Sequence, residues 1–230
     1  MEHHINNRRS YGGIQVDGNA TATTILNTEV WTKFALFAVS LPSHETVADP
    51  TNDRLIAGSA DDFDVEFFAE GFSAGVNKVF EIDLFRLSHE ELVITAMTAA
   101  DPIVVESVGH GKANGSRLKL SDITGMVEAN DQVFVLANVA ADTFELNDES
   151  GGDIDGSLYT PYVSGGIAQV ATRTLAHTDQ KWIGGSAEES VAGGSIAAFE
   201  AEDLLELMIL NGTDDTDFTM EGVVMKMGLA

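Results

Sequence analysis

The chain has 230 residues, 44% of them hydrophobic, with 12 Lys+Arg against 37 Asp+Glu and a formal net charge of -25. That length and apolar content bury the core of one large or two smaller domains. So acidic a chain, with Arg8-Arg9 its only adjacent basic pair, argues against binding nucleic-acid phosphates or an anionic membrane surface, and zero cysteines exclude disulfides and thiolate metal sites.

Residues 1–13, "MEHHINNRRSYGG", carry His3, His4, Arg8 and Arg9 without hydrophobic periodicity and read as an N-terminal arm. The arm lacks the apolar stretch of a signal peptide, and no apolar run approaches the roughly 20 residues of a membrane span, so a soluble chain outside the Sec route is expected. From Ile14 the β-branched and aromatic content rises. "EVWTKFALFAV" places Val30, Thr32, Phe34, Leu36 and Ala38 on one side of a strand and Trp31, Lys33, Ala35, Phe37 and Val39 on the other. Both sides are largely apolar, which predicts a strand from Val30 to Val39 buried on two faces. "RLIA" is a short strand among Pro42, Pro50, Asn52-Asp53 and Gly58, which are loop and turn residues.

"DFDVEFFAEGF" alternates, with Phe63, Val65 and Phe67 inward against Asp62, Asp64 and Glu66. After a turn at Ser73-Ala74-Gly75, "NKVFEIDLFRL" repeats the alternation, with Phe80, Ile82 and Leu84 inward and Glu81, Asp83 and Arg86 outward. The two are expected to pair antiparallel. Past Leu92 come shorter β-like runs, "PIVVESV", "RLKL", "QVFVLANV" and "TFELN", separated by glycines and closed by "YTPYVSGGIAQVAT". In the last segment, "DLLELMILN" has helix-forming residues, but its alternation of Leu205, Leu207 and Ile209 and the Asn211-Gly212 turn favour a strand. "DFTMEGVVMKM" forms the final strand. The fold class is all-β.

The middle segment resembles a small β module of tailed-phage virion proteins, one likened to the first catalytic cysteine half-domain of ubiquitin-activating enzymes. The residues that carry the resemblance are Asp101-Pro102-Ile103-Val104-Val105, Gly109-His110-Gly111, Asn114-Gly115, Ile123-Thr124-Gly125-Met126, the run from Phe134 to Val139, Thr143-Phe144-Glu145-Leu146, and Tyr162-Val163-Ser164-Gly165-Gly166. Without a cysteine, thioester chemistry is excluded. The flanks, through "GNATATTI", "EVWTKFA", "DDFDVEFFAEGF", "KVFEIDLFRL" and the closing "DLLELMILNGTDDTDFTMEGVVMKM", resemble the tumour-necrosis-factor-like jelly roll of phage decoration proteins and fibre knobs. The resemblance implies a discontinuous jelly-roll β-sandwich, residues 14–92 and 173–230, with an inserted small β-barrel-like module at residues 93–172 that folds as a separable unit.

No catalytic constellation stands out. His110 sits between two glycines with no Asp, Glu or Ser at a diagnostic spacing, and reads as a turn residue. Asp153, Asp155 and Gly156 resemble the start of a calcium loop, but the closing bidentate Glu is missing, so "NDESGGDIDG" and "DDTD" are expected to be solvated acidic loops. His3 and His4 belong to the arm. "GGSAEESVAGGS" has no following Lys and opens no helix, so it is no phosphate loop. Neither cofactor nor metal is expected.

The expectation is a non-enzymatic virion protein, a capsid decoration (cement) or head-fibre component bound to the major capsid protein or another virion protein. The resemblance implies a homotrimer, with Trp31, Phe37 and Val39 facing neighbouring copies and Arg8 and Arg9 attaching the arm to the shell. The other reading is a tail-fibre tip or baseplate adhesin that contacts a host surface glycan. The short arm, with no repetitive shaft, favours decoration.

Overall fold

The period-two alternation becomes strand in nearly every segment that carries it, since side chains of an extended chain point alternately to opposite faces. The computed structural model describes residues 11–17, 22–34, 39–41, 46–73, 75, 77–174, 181–184 and 189–230. In chain order the strands are β1 (Tyr11–Asp17), β2 (Ala22–Thr23), β3 (Trp31–Lys33), β4 (Val39–Leu41), β5 (Thr46–Asp49), β6 (Arg54–Ala57), β7 (Asp61–Ser73), β8 (Lys78–Val93), β9 (Ala96–Met97), β10 (Val104–Glu106), β11 (Arg117–Thr124), β12 (Gln132–Ala137), β13 (Thr143–Asn147), β14 (Ser164–Arg173), β15 (Lys181–Gly184), β16 (Glu189–Phe199), β17 (Leu204–Asn211) and β18 (Phe218–Leu229). One 3-10 turn, Val127–Ala129, joins β11 to β12, and the described residues contain no α-helix.

Two layers form the sandwich. One sheet runs β4-β1-β18-β7-β16, with β2 added to β18; the other runs β5-β6-β17-β8, with β15 added to β8. From β6 to β8 and from β15 to β18 each successive strand changes sheet. That is a jelly-roll β-sandwich. Its core lies between the sheets and includes Phe34, Phe63, Val65, Phe67, Phe80, Ile82, Leu84, Leu205, Leu207, Phe218, Met225 and Met227.

The expected antiparallel pairing of the 61–73 and 78–93 segments does not occur. β7 pairs with β16 and β18, β8 pairs with β17, β14 and β15, and the two face one another across the core. Alternation fixes which face of each strand is apolar, and two such faces are buried equally well by stacking. Asp83, expected outward, is fully buried.

The chain leaves the sandwich along the far half of β8 and returns on β14, antiparallel to it. Between them β9–β13 build the module around a second core that includes Ile103, Val105, Leu118, Leu120, Phe134, Leu136, Phe144 and Leu146. Gly125, at φ +98, lets the chain turn where the carbonyl of Pro161 passes 2.3 Å from where a Cβ would sit, a place no larger residue fits.

The two lobes share strands. β17 pairs with β8, β8 with β14, β14 with β11, β11 with β12, β12 with β3 and β3 with β17, which closes a ring of six strands. On β17, Leu205, Leu207 and Ile209 enter the sandwich core while Leu204, Met208 and Leu210 enter a third cluster with Trp31, Phe85, Leu87, Val133 and Ala171. Every residue of β17 is buried for this reason. A single strand from Val30 to Val39 is not found: β3 is only three residues long, and residues 35–38 lie outside the described ones. Within five residues its neighbourhood feeds three cores, with Val30 in the module, Trp31 in the ring and Phe34 in the sandwich.

Candidate functional site

The ring is apolar at its centre, where the Arg173 guanidinium, paired with buried Asp83, covers Trp31, and a larger group of charges gathers at one mouth. Lys33 of β3, Lys119 of β11, Gln169 of β14 and Glu206 of β17 project there by the alternation that sends their neighbours into the adjoining cores. Glu206 Oε1 accepts from Lys33 Nζ at 2.8 Å, and its Oε2 accepts from Lys119 Nζ at 2.7 Å. Lys119 also meets Asp131 at 3.1 Å, and Lys33 donates to the carbonyl of Asn52. Glu206 is fully buried and Lys119 nearly so. Burial works to depress the Lys119 pKa, but the charges of Glu206 and Asp131, with their hydrogen bonds, outweigh it and hold the ammonium above the usual lysine value. The lysines come from different lobes, so one carboxylate bridges the joint.

Above these groups opens a cleft of about 650 Å³. Its rim comes from the β5–β6 turn at Thr51–Arg54, from Glu91 on β8, from Ser121 and Asp122 at the end of β11, and from Asn130 and Asp131 before β12. Glu91 reaches the rim because β8 slips in register against β14, from Leu87↔Ala171 to Glu91↔Gln169. The slip is stabilised by Gln169 Nε2, which donates to the Ser88 carbonyl at 2.8 Å, and by buried Asp203, which accepts from the His89 backbone N–H at 2.9 Å.

A second surface lies on the outer face of the six-stranded sheet. Across neighbouring strands Val224, Phe68 and Ala192 stand in one row, and Lys226, Glu66 and Gly194 in the next, around a groove of about 520 Å³. Phe68 is 44% exposed and Ile196, two pairs further along β16, is 64% exposed. β16 is the edge of this sheet among the described residues, and from Ser190 to Phe199 it carries no charge.

Comparison adds little to this geometry. No protein-family model and no curated protein matches the sequence. Among solved structures, that of Eiger TNF from S. frugiperda aligns over 97% of this chain and 94% of its own, at 9% identity and a TM-score of 0.41.

The residues singled out in the sequence fare unevenly. Trp31, expected to face a neighbouring copy, is fully buried within the chain, with its ring 5.2 Å from that of Phe85 and the Arg173 guanidinium 4.8 Å over it. It has no surface to offer a partner. Its two-sided apolar setting arises from two lobes of one chain. Phe37, Arg8 and Arg9, with His3 and His4, lie outside the described residues, as does the side chain of Val39. His110 is buried against Phe144; its Nε2 lies 3.1 Å from the Ala140 carbonyl and its Nδ1 accepts from the Lys112 N–H, which is a turn-fixing role. Asp155 accepts from the Ser157 N–H, and Asp214 is paired with Lys78, which with the N–H of Thr216 holds its carboxyl far below the usual range. Among the described residues no group of three or more ligands is placed to hold a metal. Sequence reasoning passed over Lys33, Lys119 and Glu206. A signal was there for Glu206, a lone charge inside the apolar run "LLELMIL", and a weaker one for Lys119, set between two leucines in "RLKL".

Proposed function

We propose that this chain is a non-enzymatic structural protein of a tailed-phage virion, a capsid decoration or head-fibre component that assembles as a homotrimer. The observation that carries the reading is the outer face of the six-stranded sheet. Phe68, Val224 and Ala192 form an apolar row, and Ile196 is exposed beyond the charged row of Glu66 and Lys226, on an edge strand with no charge of its own along ten residues, Ser190 to Phe199. Exposed edges in monomers are ordinarily blunted by charge, proline or a bulge; past Glu189, β16 pairs with β7 in unbroken register and carries no charge or proline of its own, although the Arg86 guanidinium donates to the Ala198 carbonyl. Copies carrying a net charge of -25 repel one another, so an assembly needs an apolar contact of this kind. Arg8 and Arg9 remain the proposed shell-attachment residues on grounds of charge alone. Mass spectrometry of purified phage particles, with electron microscopy of the same particles, tests the assignment. Particles free of the protein would refute it.

A receptor-binding component of a tail fibre or baseplate is the second reading. The cleft at the joint of the lobes favours it, because ligand sites form preferentially where two lobes meet.

A further inference from the structure

We infer that the cleft at the ring mouth is a binding site for a neutral saccharide. The inference rests on the receptor-binding reading and names the ligand class.

The floor is built of charges that folding alone does not require. Removing ions from water costs several kcal/mol each, and a buried pair is often replaced by apolar residues at no loss of stability. Here Glu206, fully buried, Lys119, nearly so, and the partly buried Lys33 sit at the base of an open cleft, held by one another rather than by solvent. Each ammonium has three N–H donors. Lys119 uses two, on Glu206 and Asp131, and Lys33 uses two, on Glu206 and the Asn52 carbonyl. One donor of each is left over at the floor.

The walls offer the complement. Among the described residues no hydrogen bond or ion pair engages the side chains of Glu91, Ser121 or Asp122, all of which line the cleft, and Glu91 and Asp122 are exposed. The cleft thus presents spare donors below and spare carboxylate acceptors above. An alcohol accepts from an ammonium and donates to a carboxylate at once, and a sugar ring carries several in fixed positions. An anionic ligand would meet Asp53, Glu91, Asp122, Asp131 and Glu206, and a cationic one would be driven against the floor ammoniums. A neutral, hydroxyl-rich ligand meets neither penalty, and the volume suits a mono- or disaccharide.

The test is a titration of the full chain, labelled for amide NMR, with the methyl glycosides of glucose, galactose, mannose and N-acetylglucosamine and with lactose. N-acetylneuraminic acid and spermidine serve as the anionic and cationic comparators. At least one neutral sugar is expected to shift the amides of Asn52, Glu91, Ser121 and Asp122. Each of Glu91→Gln and Asp122→Asn, exposed substitutions that leave the fold intact, is expected to weaken that binding about tenfold, as loss of a charge-assisted hydrogen bond does. Silence from every neutral sugar overturns the inference, as does stronger binding of either charged comparator or a response confined to the outer sheet face. Binding by a protein absent from phage particles overturns the virion reading and keeps the site; virion membership without binding does the reverse.

Discussion

At the scale of single residues, the decisive group is Glu206. It neutralises two ammoniums from opposite lobes, so Glu206→Gln leaves Lys33 without a counter-ion and buried Lys119 with only the half-exposed Asp131, and stability is expected to fall by about 3 kcal/mol. Replacing all three, with Lys33→Met, Lys119→Met and Glu206→Leu, removes the charges together and is expected to recover most of that loss. Denaturant unfolding of both variants measures it. A triple variant no more stable than Glu206→Gln would mean that the bridge itself holds the joint. His89 supplies a pH dependence. Its hydrogen bond to Asp203 raises its pKa above the ordinary 6.5. The protonated ring is then favoured in the folded state, so its contribution is full below the ordinary value and is lost as pH rises through the folded one. The urea midpoint of the wild type is therefore expected to exceed that of His89→Gln more at pH about 6 than at pH about 8. A gap that widened with pH would contradict the contact.

Among the elements, β3 has an influence out of proportion to its three residues, because it closes the ring by pairing with β12 on one side and β17 on the other. Trp31 at its start fills the centre of that ring. Trp31→Ala is expected to cost about 3–5 kcal/mol, as for other large buried aromatics. The loss is expected to loosen both lobes together, since the cavity opens between them. Amide hydrogen exchange resolves this: faster exchange in β11 and β12 of the module as well as β17 of the sandwich is the expected pattern. Faster exchange in one lobe alone would show that the ring does not couple them. Long strands play the complementary part. β8 and β14 run through both lobes, so the joint is continuous hydrogen-bonded sheet rather than a linker.

For the whole molecule, shared strands change what an insertion means. Deleting residues 93–172 in favour of a short linker removes Lys119 from Glu206, Val133 and Ala171 from Trp31, and β12 from β3. The truncated chain is therefore expected to unfold without the cooperativity of the full chain, seen as a broad denaturant transition; a sharp one would mean that the sandwich stands alone. The proposed trimer makes a separate demand. Phe68→Asp with Ile196→Asp alters exposed side chains only, so sedimentation is expected to give a folded monomer where the wild type gives a trimer. Trp31→Asp unfolds the chain instead, because that side chain has no solvent-facing surface.

What the sequence determined by itself was the local pattern. Strand identity at β6, β7, β8, β17 and β18, the inward faces of Phe63, Phe80 and Leu205, and the turn role of His110 follow from period-two alternation and turn chemistry, which act over a few neighbouring residues. The jelly roll came from the resemblance of the flanking segments, not from the alternation, which gave only the all-β class. Alternation says which face of a strand is apolar and nothing about what covers it, so only the tertiary structure decided that β7 and β8 stack across the core rather than pair. The same limit misplaced Trp31: a strand apolar on both sides is buried twice, and whether the second cover is another copy or another lobe depends on contacts about a hundred residues away in sequence, as with Val133. The cleft lay furthest from reach. Lys33, Lys119 and Glu206 lie far apart in the sequence, and they become one site only because the six-stranded ring closes and brings three distant strands to the same mouth.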